Sequence, residues 1–240
     1  MYNVIFRKIA ALSDTESQAA ITLYLNYYDS SDEMTILSDL KKKTEILLLY
    51  HHNELVGFTT FELYEHLYKG VEIEVIYSGD TIVHHEHWGQ QALAYAWIRR
   101  IGQLKSALKT KPLYWFLIVK GHRTYKYLPT FAKSFYPHWS VDRSDLKALL
   151  DELAGEKFGQ YYNAQTGLIV FESSKGHLKE AYVHPSEKEQ LRDAVSFFLK
   201  RNPKYYRGDE LACLCEVNDT NMRPLTKRIA RTGAQRLDDA

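Results

Sequence analysis

The stretch from Val71 to Leu108 constrains this chain more than any other; it reads VEIEVIYSGDTIVHHEHWGQQALAYAWIRRIGQLKSAL. A β-branched run ends at Ile82-Val83, a polar turn follows from His84 to Gln90, and a long amphipathic pattern begins after Gly89. Leu93, Trp97, Ile101, Leu104 and Leu108 recur at steps of four, four, three and four, which is one stripe of a helix. Strand, short turn and helix start form a unit that presents free backbone N–H groups to an anion; the same unit also serves plain α/β packing. Gly102 in the middle of the pattern costs about 1 kcal/mol relative to Ala and argues against an unbroken helix.

The 240 residues suffice for one large core or two small ones, and 45% hydrophobic with 25% charged residues is an ordinary globular balance. A formal net charge of +1 gives no argument for nucleic acid or an anionic membrane as partner. No run of eighteen apolar residues and no leader pattern occurs, so the expected compartment is the cytoplasm. Cys213 and Cys215 stand two apart in a strand-like run, on one face but badly placed to bridge.

Before the central unit, Tyr2–Ile9 reads as a strand, and Ser13-Asp14-Thr15-Glu16 spells a capping box leading a helix to about Tyr28. A charged helix is expected over Asp32–Lys43. Glu45–His51 and Leu55–Leu63 make a hairpin around His51-His52-Asn53-Glu54, and Val71–Val83 is a third strand that Ser78-Gly79 invites to bulge or splay. After the central helix, Pro112–Lys120 is nearly all apolar, as a strand covered on both faces would be. A tyrosine-bearing helix then runs from Thr124 to about Phe135. Further on, Asp142–Leu153 suggests a helix and Gly167–Glu172 a strand. A second capping box at Ser186–Glu189 leads a helix through Phe198, Glu210–Val217 is a last strand, and the tail is helical after Pro224. The alternation continues without a linker: residues 1–137 form a core, and 138–240 an extension completing or flanking the same domain.

This order of elements resembles the GNAT superfamily of acyl-CoA N-acyltransferases. The hairpin Asn53-Glu54-Leu55-Val56-Gly57-Phe58, the turn Ile82-Val83-His84-His85-Glu86-His87-Trp88-Gly89-Gln90, and Gly121-His122-Arg123-Thr124-Tyr125-Lys126-Tyr127 carry the likeness, which spans roughly residues 2–136. It implies an α/β fold with a mixed, mostly antiparallel central sheet, helices on both faces and a C-terminal α/β extension. It also implies transfer of an acyl group, acetyl foremost, from acetyl-CoA or another acyl-CoA to a small-molecule or peptide amine. The donor would lie against Ile82, Val83, His84, Trp88, Gly89, Gln90 and Gln91. One departure stands out: the family's phosphate loop ends Gly-x-Gly or Gly-x-Ala, and this chain has Gln91 and Leu93 there, side chains where a backbone would approach a pyrophosphate. Three outcomes fit: the loop is shifted by a residue, the donor is another thioester carrier such as an acyl carrier protein, or no donor binds.

Acyl transfer to an amine needs a base for the amine proton, a donor to the thioester oxygen and an acid for the departing thiolate. For the base the order is Glu74, Asp80, Glu72; Glu72 and Glu74 share a strand face and Asp80 lies beyond the Ser78-Gly79 irregularity. For the acid it is Tyr125, then Tyr127, although core packing explains tyrosines in a chain holding 18 of them. A non-catalytic binding or assembly protein on the same scaffold is the second reading, and the basic tail (Lys227, Arg228, Arg231, Arg236) is a candidate partner surface. A metal-dependent enzyme using His84, His85, Glu86 and His87 is the third; adjacent residues at a strand end point apart, and no metal ligand is assigned.

Overall fold

The computed structural model describes residues 1–238, with side chains through Ala234, so Arg236 of the basic tail lies outside the described side chains. Six main strands lie side by side in chain order: β1 (Tyr2–Lys8), β2 (Glu45–His51), β3 (Glu54–Tyr68), β4 (Val71–Val83), β5 (Leu113–Val119) and β6 (Glu210–Glu216). The short strands Leu168–Ile169 and Tyr162–Asn163 extend the sheet beyond β6. Neighbours are antiparallel except β4 and β5, which run parallel. A parallel pair needs a crossover, and the amphipathic helix of the central unit supplies it.

The labelled helices are α1 (Asp14–Tyr27), α2 (Glu33–Leu40), α3 (Ala92–Leu108), α4 (His122–Tyr125), α5 (Tyr127–Phe131), α6 (Lys147–Phe158), α7 (Asp193–Arg201) and α8 (Pro224–Asp238). Strand alternation sorts the sheet into two faces. Leu47, Leu49, Ile76, Trp115 and Cys215 point to the face covered by α3, α4, α5, α7 and α8. On the other face, Ile46, Leu48, Phe58 and Ile82 meet α1 and α2, while Val75, Phe116 and Leu214 meet α6. Both cysteines are buried and free, on one face as strand periodicity requires. Among the described residues no helix is long and apolar enough to cross a membrane.

Gly102 does not break α3. A Cβ there would lie 1.9 Å from the Ala230 carbonyl oxygen, and one at Gly233 would lie 2.1 Å from that of Arg99. The two glycines let α3 and α8 cross with their backbones in contact, which no side chain permits, and this offsets the helix-propensity cost.

Local signals set most starts and mislead about some lengths. The Ser13 box forms, Ser13 Oγ accepting from the Glu16 N–H at 3.2 Å and the Glu16 carboxylate accepting from the Ser13 N–H at 3.0 Å. The Ser186 box also forms but leads only the turn Glu187–Gln190; the backbone extends at Arg192 and α7 starts afresh. The expected strand Gly167–Glu172 reduces to Leu168–Ile169, and the tyrosine-bearing helix splits into α4 and α5.

Candidate functional site

The parallel strands separate part-way. Pairing between β4 and β5 runs from Glu74 opposite Leu113 to Ser78 opposite Leu117 and stops there, while β4 continues to Val83. Residues 81–83 stay paired to β3 on their other side, so the edge of β4 beyond Ser78 that faces β5 is left without a strand partner. Where the separation begins, Gly79 and Asp80 together oppose the single residue Thr60, since Thr59 pairs with Thr81 and Phe61 with Ser78. This bulge reverses the alternation. Strict alternation would put Asp80 on the same face as Glu74 and Ile76; instead it joins Tyr77 and Ile82 on the face away from α3.

That face holds a cavity of about 1230 Å³ between α1 and α2 on one side and α6 on the other. Its charged lining is drawn from separate elements: Asp39 near the end of α2, Lys43 just beyond it, Glu62 on β3, Asp80 on β4, Lys120 after β5, Arg123 on α4, Lys157 on α6 and Glu210 on β6, with Asp32, Lys42 and Lys175 at exposed positions. Lys43 Nζ lies 2.6 Å from Asp39 and 3.8 Å from Asp80, whose carboxylate also accepts from Thr60 Oγ1 at 3.3 Å. Lys157 reaches Glu62 at 2.7 Å and Lys120 reaches Glu210 at 3.4 Å.

Burial raises the pKa of Asp80, with Lys43 opposing and Asp39 reinforcing. At Asp39 burial acts the same way but Lys43 outweighs it, and the pKa is lowered. Of the two carboxylates around one lysine, Asp80 is therefore the one that takes a proton. Burial also raises Glu210 against the pull of Lys120. Lys43 and Lys120 keep their charge because their carboxylate neighbours outweigh the burial that opposes it.

On the α3 side the same separation leaves a void of only about 30 Å³, walled by Trp97, Trp115, Phe131 and Tyr127. Gly79, Thr81 and Thr124 line both spaces, so the two adjoin through the opened strands. At the mouth, the Trp88 indole N–H donates to the Val83 carbonyl at 2.8 Å, and the Arg123 guanidinium stacks over the Trp88 ring at 4.2 Å.

The sequence-named residues disperse. Asp80 lines the cavity; Glu74 lies six residues back on the opposite face, roughly 20 Å along the strand, 3.6 Å from Lys111, and Glu72 is exposed near the hairpin. Tyr125 is fully buried in the core and donates its hydroxyl to the Pro137 carbonyl at 2.8 Å, which holds it away from both spaces. Tyr127 is half-buried and lines the small void, with burial raising its pKa.

Ile82 and Val83 line the cavity, and the His84 N–H continues the sheet to the Val56 carbonyl at 2.7 Å. Gly89 adopts φ +90, a left-handed turn, with nothing within 4 Å of where a Cβ would stand, so it serves conformation rather than close approach. The Gln90 side-chain oxygen accepts from the Leu93 N–H at 3.2 Å, and the exposed Gln91 amide turns back to the Gly89 carbonyl at 3.1 Å. The loop thus caps its own helix in this state.

The turn histidines bond to tyrosines: His85 Nδ1 to Tyr27 and His87 Nδ1 to Tyr2, each at 2.9 Å. Among the described residues the ligand trio close enough to hold a metal is elsewhere, His66 with Glu152 and Glu156. On the tail, Lys227 and Arg231 lie 3.3 and 3.9 Å from Asp219, and Arg223 donates to the Pro129 carbonyl at 2.7 Å, so these three cations are engaged within the chain.

Sequence reading missed Asp39, Lys43, Lys120 and Glu210, and the faint signal was a charge bounding an apolar run. Lys120 ends one such run and Glu210 begins another.

No family model and no curated protein matches the chain. Solved structures do. They include a ribosomal-protein-alanine N-acetyltransferase from Brucella melitensis biovar Abortus 2308 (18% identity, 49% of this chain and 79% of that one, TM-score 0.37). Another is an acyl-CoA N-acyltransferase from Pseudomonas aeruginosa (16%, 55% and 88%, 0.40), and a third is Escherichia coli ElaA (17%, 60% and 93%, 0.40). The strand order, the parallel β4–β5 pair and its opening, with α3 as crossover, make the fold GNAT-like. Overlaps of this size speak to no donor, acceptor or activity.

Proposed function

We propose that the protein transfers an acyl group from a thioester donor, acetyl-CoA or another acyl-CoA, to an amine held in the large cavity. One observation carries the reading: the unpaired β4 edge opens onto a cavity in which a carboxylate of raised pKa, Asp80, stands beside that edge. An edge of free N–H and C=O groups suits a donor arm that carries amides, as a strand added to a sheet would. The first turn of α3 has no acidic residue to repel a phosphate, though Gln90 must release the Leu93 N–H for one to bind.

In this scheme Asp80 takes the amine proton, directly or through water, and the raised pKa suits a base that must hold it. The nitrogen bonds to the acyl carbon as the carbon–sulfur bond breaks, and the thiolate takes a proton from Tyr127, leaving amide and free thiol. Backbone N–H groups of residues 79–83 are the candidate donors to the thioester oxygen.

A second reading, a binding protein that has lost the donor, is favoured by the 30 Å³ void and by the Trp88 bond that occupies the Val83 carbonyl. Calorimetric titration with acetyl-CoA and CoA separates the two. Micromolar binding with thiol release in the presence of an amine is the expected result. Binding only by a Gln91→Gly variant would point to a blocked site, and no binding by either protein would favour the second reading.

A further inference from the structure

A second cluster of polar side chains, unconnected with acyl transfer, lies where the β3–β4 hairpin leaves the rest of the sheet. β2 pairs with β3 only as far as Glu45 opposite Phe61, and β5 pairs with β4 only from Leu113 opposite Glu74. Residues 66–68 and 71–73 fall beyond both limits and form an arm of two strands, which is marginal without further packing. Its support is α6: Tyr64, Tyr68 and Ile73 share one apolar cluster with Leu149, Leu150 and Leu153. His66 opens the arm opposite Ile73, and alternation places it with Tyr64 and Tyr68 on the face toward α6.

The His66 side chain is only 10% exposed, and each ring nitrogen faces a carboxylate of α6: Nε2 lies 2.7 Å from Glu152 and Nδ1 3.5 Å from Glu156. One ligand atom from each of the three residues falls within 4.8 Å of the other two. Glu152 and Glu156 are one helical turn apart, a like-charge spacing that works against the helix. Among the described residues neither has a lysine or arginine within 4 Å; Lys157, next on the helix, is engaged by Glu62 at 2.7 Å. The imidazole carries at most one positive charge against two negative ones, whereas a dication balances both. One imidazole nitrogen and two carboxylates are zinc donors, with bonds of about 2.0–2.2 Å that set neighbouring donors about 3.3 Å apart. The glutamate side chains, 41% and 62% exposed, are free to rotate to that spacing and leave a solvent-facing fourth position for water. Magnesium and calcium, which take about six to eight oxygens, match this set poorly.

We propose that His66, Glu152 and Glu156 bind a first-row divalent cation, zinc foremost, and that the bound ion clasps the free arm of the β3–β4 hairpin to α6. The ion then supports the wall of the large cavity from outside, since α6 also carries Lys157 into that cavity.

The test is calorimetric titration of the full chain, free of any affinity tag and stripped with EDTA, with zinc chloride. One equivalent should bind, at least about tenfold more tightly than magnesium or calcium. His66→Ala, Glu152→Gln and Glu156→Gln should each weaken zinc at least about tenfold. The double variant His85→Ala/His87→Ala should not, which separates this site from the histidines of the turn. Thermal midpoints of the metal-free variants within a few degrees of wild type would show them to be folded. Zinc should also slow backbone hydrogen exchange at residues 66–68 and 71–73 in wild type and leave it unchanged in His66→Ala. No stoichiometric binding, or binding that survives His66→Ala and is lost in the turn variant, overturns the site; a proton on the imidazole would then be what stands between the two carboxylates. Zinc bound through His66 with no slowing of exchange overturns the clasp.

Discussion

The two sides of the opened β4–β5 pair contrast in almost every physical respect. Toward α3 the opening is filled by aromatic rings: Trp97 and Trp115 lie with centroids 4.4 Å apart, Phe131 stacks on Trp97 at 5.9 Å, and a void of about 30 Å³ remains. Toward α1, α2 and α6 the same strands floor a charged cavity some forty times larger. A closed side made of rings fixes the geometry of β4, and the bulge at Gly79-Asp80 then turns one carboxylate out of that packing and into the wet side. Rigidity and chemistry sit on opposite faces of one strand, within three residues of each other.

The largest expected break of this contrast is on the closed side. Gly102→Val places its Cβ against the Ala230 carbonyl, where the only relief is to separate α3 from α8. The expected loss is about 4 kcal/mol or more in urea unfolding, beyond ordinary overpacking because backbone rather than a side chain must move. A loss under about 1 kcal/mol would show that the two helices do not cross at this distance.

Next in size is His122, where α4 meets α7. Neither ring nitrogen has a hydrogen-bond partner; burial, reinforced by the adjacent Arg123, lowers its pKa to about 4, with Glu189 at 3.7 Å opposing only in part. The unfolded chain takes this proton near the ordinary histidine value of 6.5 and the folded chain refuses it. The stability that follows is therefore complete above about pH 6.5 and lost as pH falls toward about 4, in all about 3 kcal/mol. Glu189, held down to about 2, loses its contribution in a more acidic window. Unfolding free energies at pH 7 and 4.5 should differ less in His122→Leu than in wild type; equal differences would refute the account.

On the open side, Asp80→Asn should lower the rate of thiol release about 100-fold, equivalent to about 2.7 kcal/mol of barrier. Stability should change little, because Lys43 keeps Asp39 at 2.6 Å. A rate within a factor of three of wild type would leave Asp80 no role as base.

The contrast between the faces was only half readable in the sequence. The stripe Leu93–Trp97–Ile101 and the apolar run Leu113–Val119 foretell a closed side, and Ser78-Gly79 foretells an irregularity. Which way Asp80 points is not foretold. A bulge of one residue reverses parity, and its size depends on the register with β3, which local patterning does not encode. Tyr125 and Tyr127 look alike as sequence, two apart in one segment. The chain turns between α4 and α5, so one hydroxyl is fixed to Pro137 and the other reaches the opening. The cavity is less legible still: its charges come from α2, β3, β4, α4, α6, β6 and the residues just after α2 and β5, and only the fold brings them together.

A smaller pair of substitutions compares one hydroxyl from each face. On the closed side, Ser78 Oγ accepts from the Trp115 indole N–H at 2.7 Å with both groups buried. Ser78→Ala leaves that N–H without an acceptor and with no route to water, so a loss of about 1–2 kcal/mol is expected. On the open side, Thr60 Oγ1 donates to Asp80 at 3.3 Å beside the cavity, where solvent can replace it. Thr60→Val should therefore cost under about 0.5 kcal/mol, because a water substitutes for the lost donor. Measured together by urea unfolding, the two give a difference of roughly 1 kcal/mol in favour of the wet face. Equal losses would mean that the cavity excludes water around Asp80, and the raised pKa there would then reflect a dry site rather than one a polar acceptor can enter.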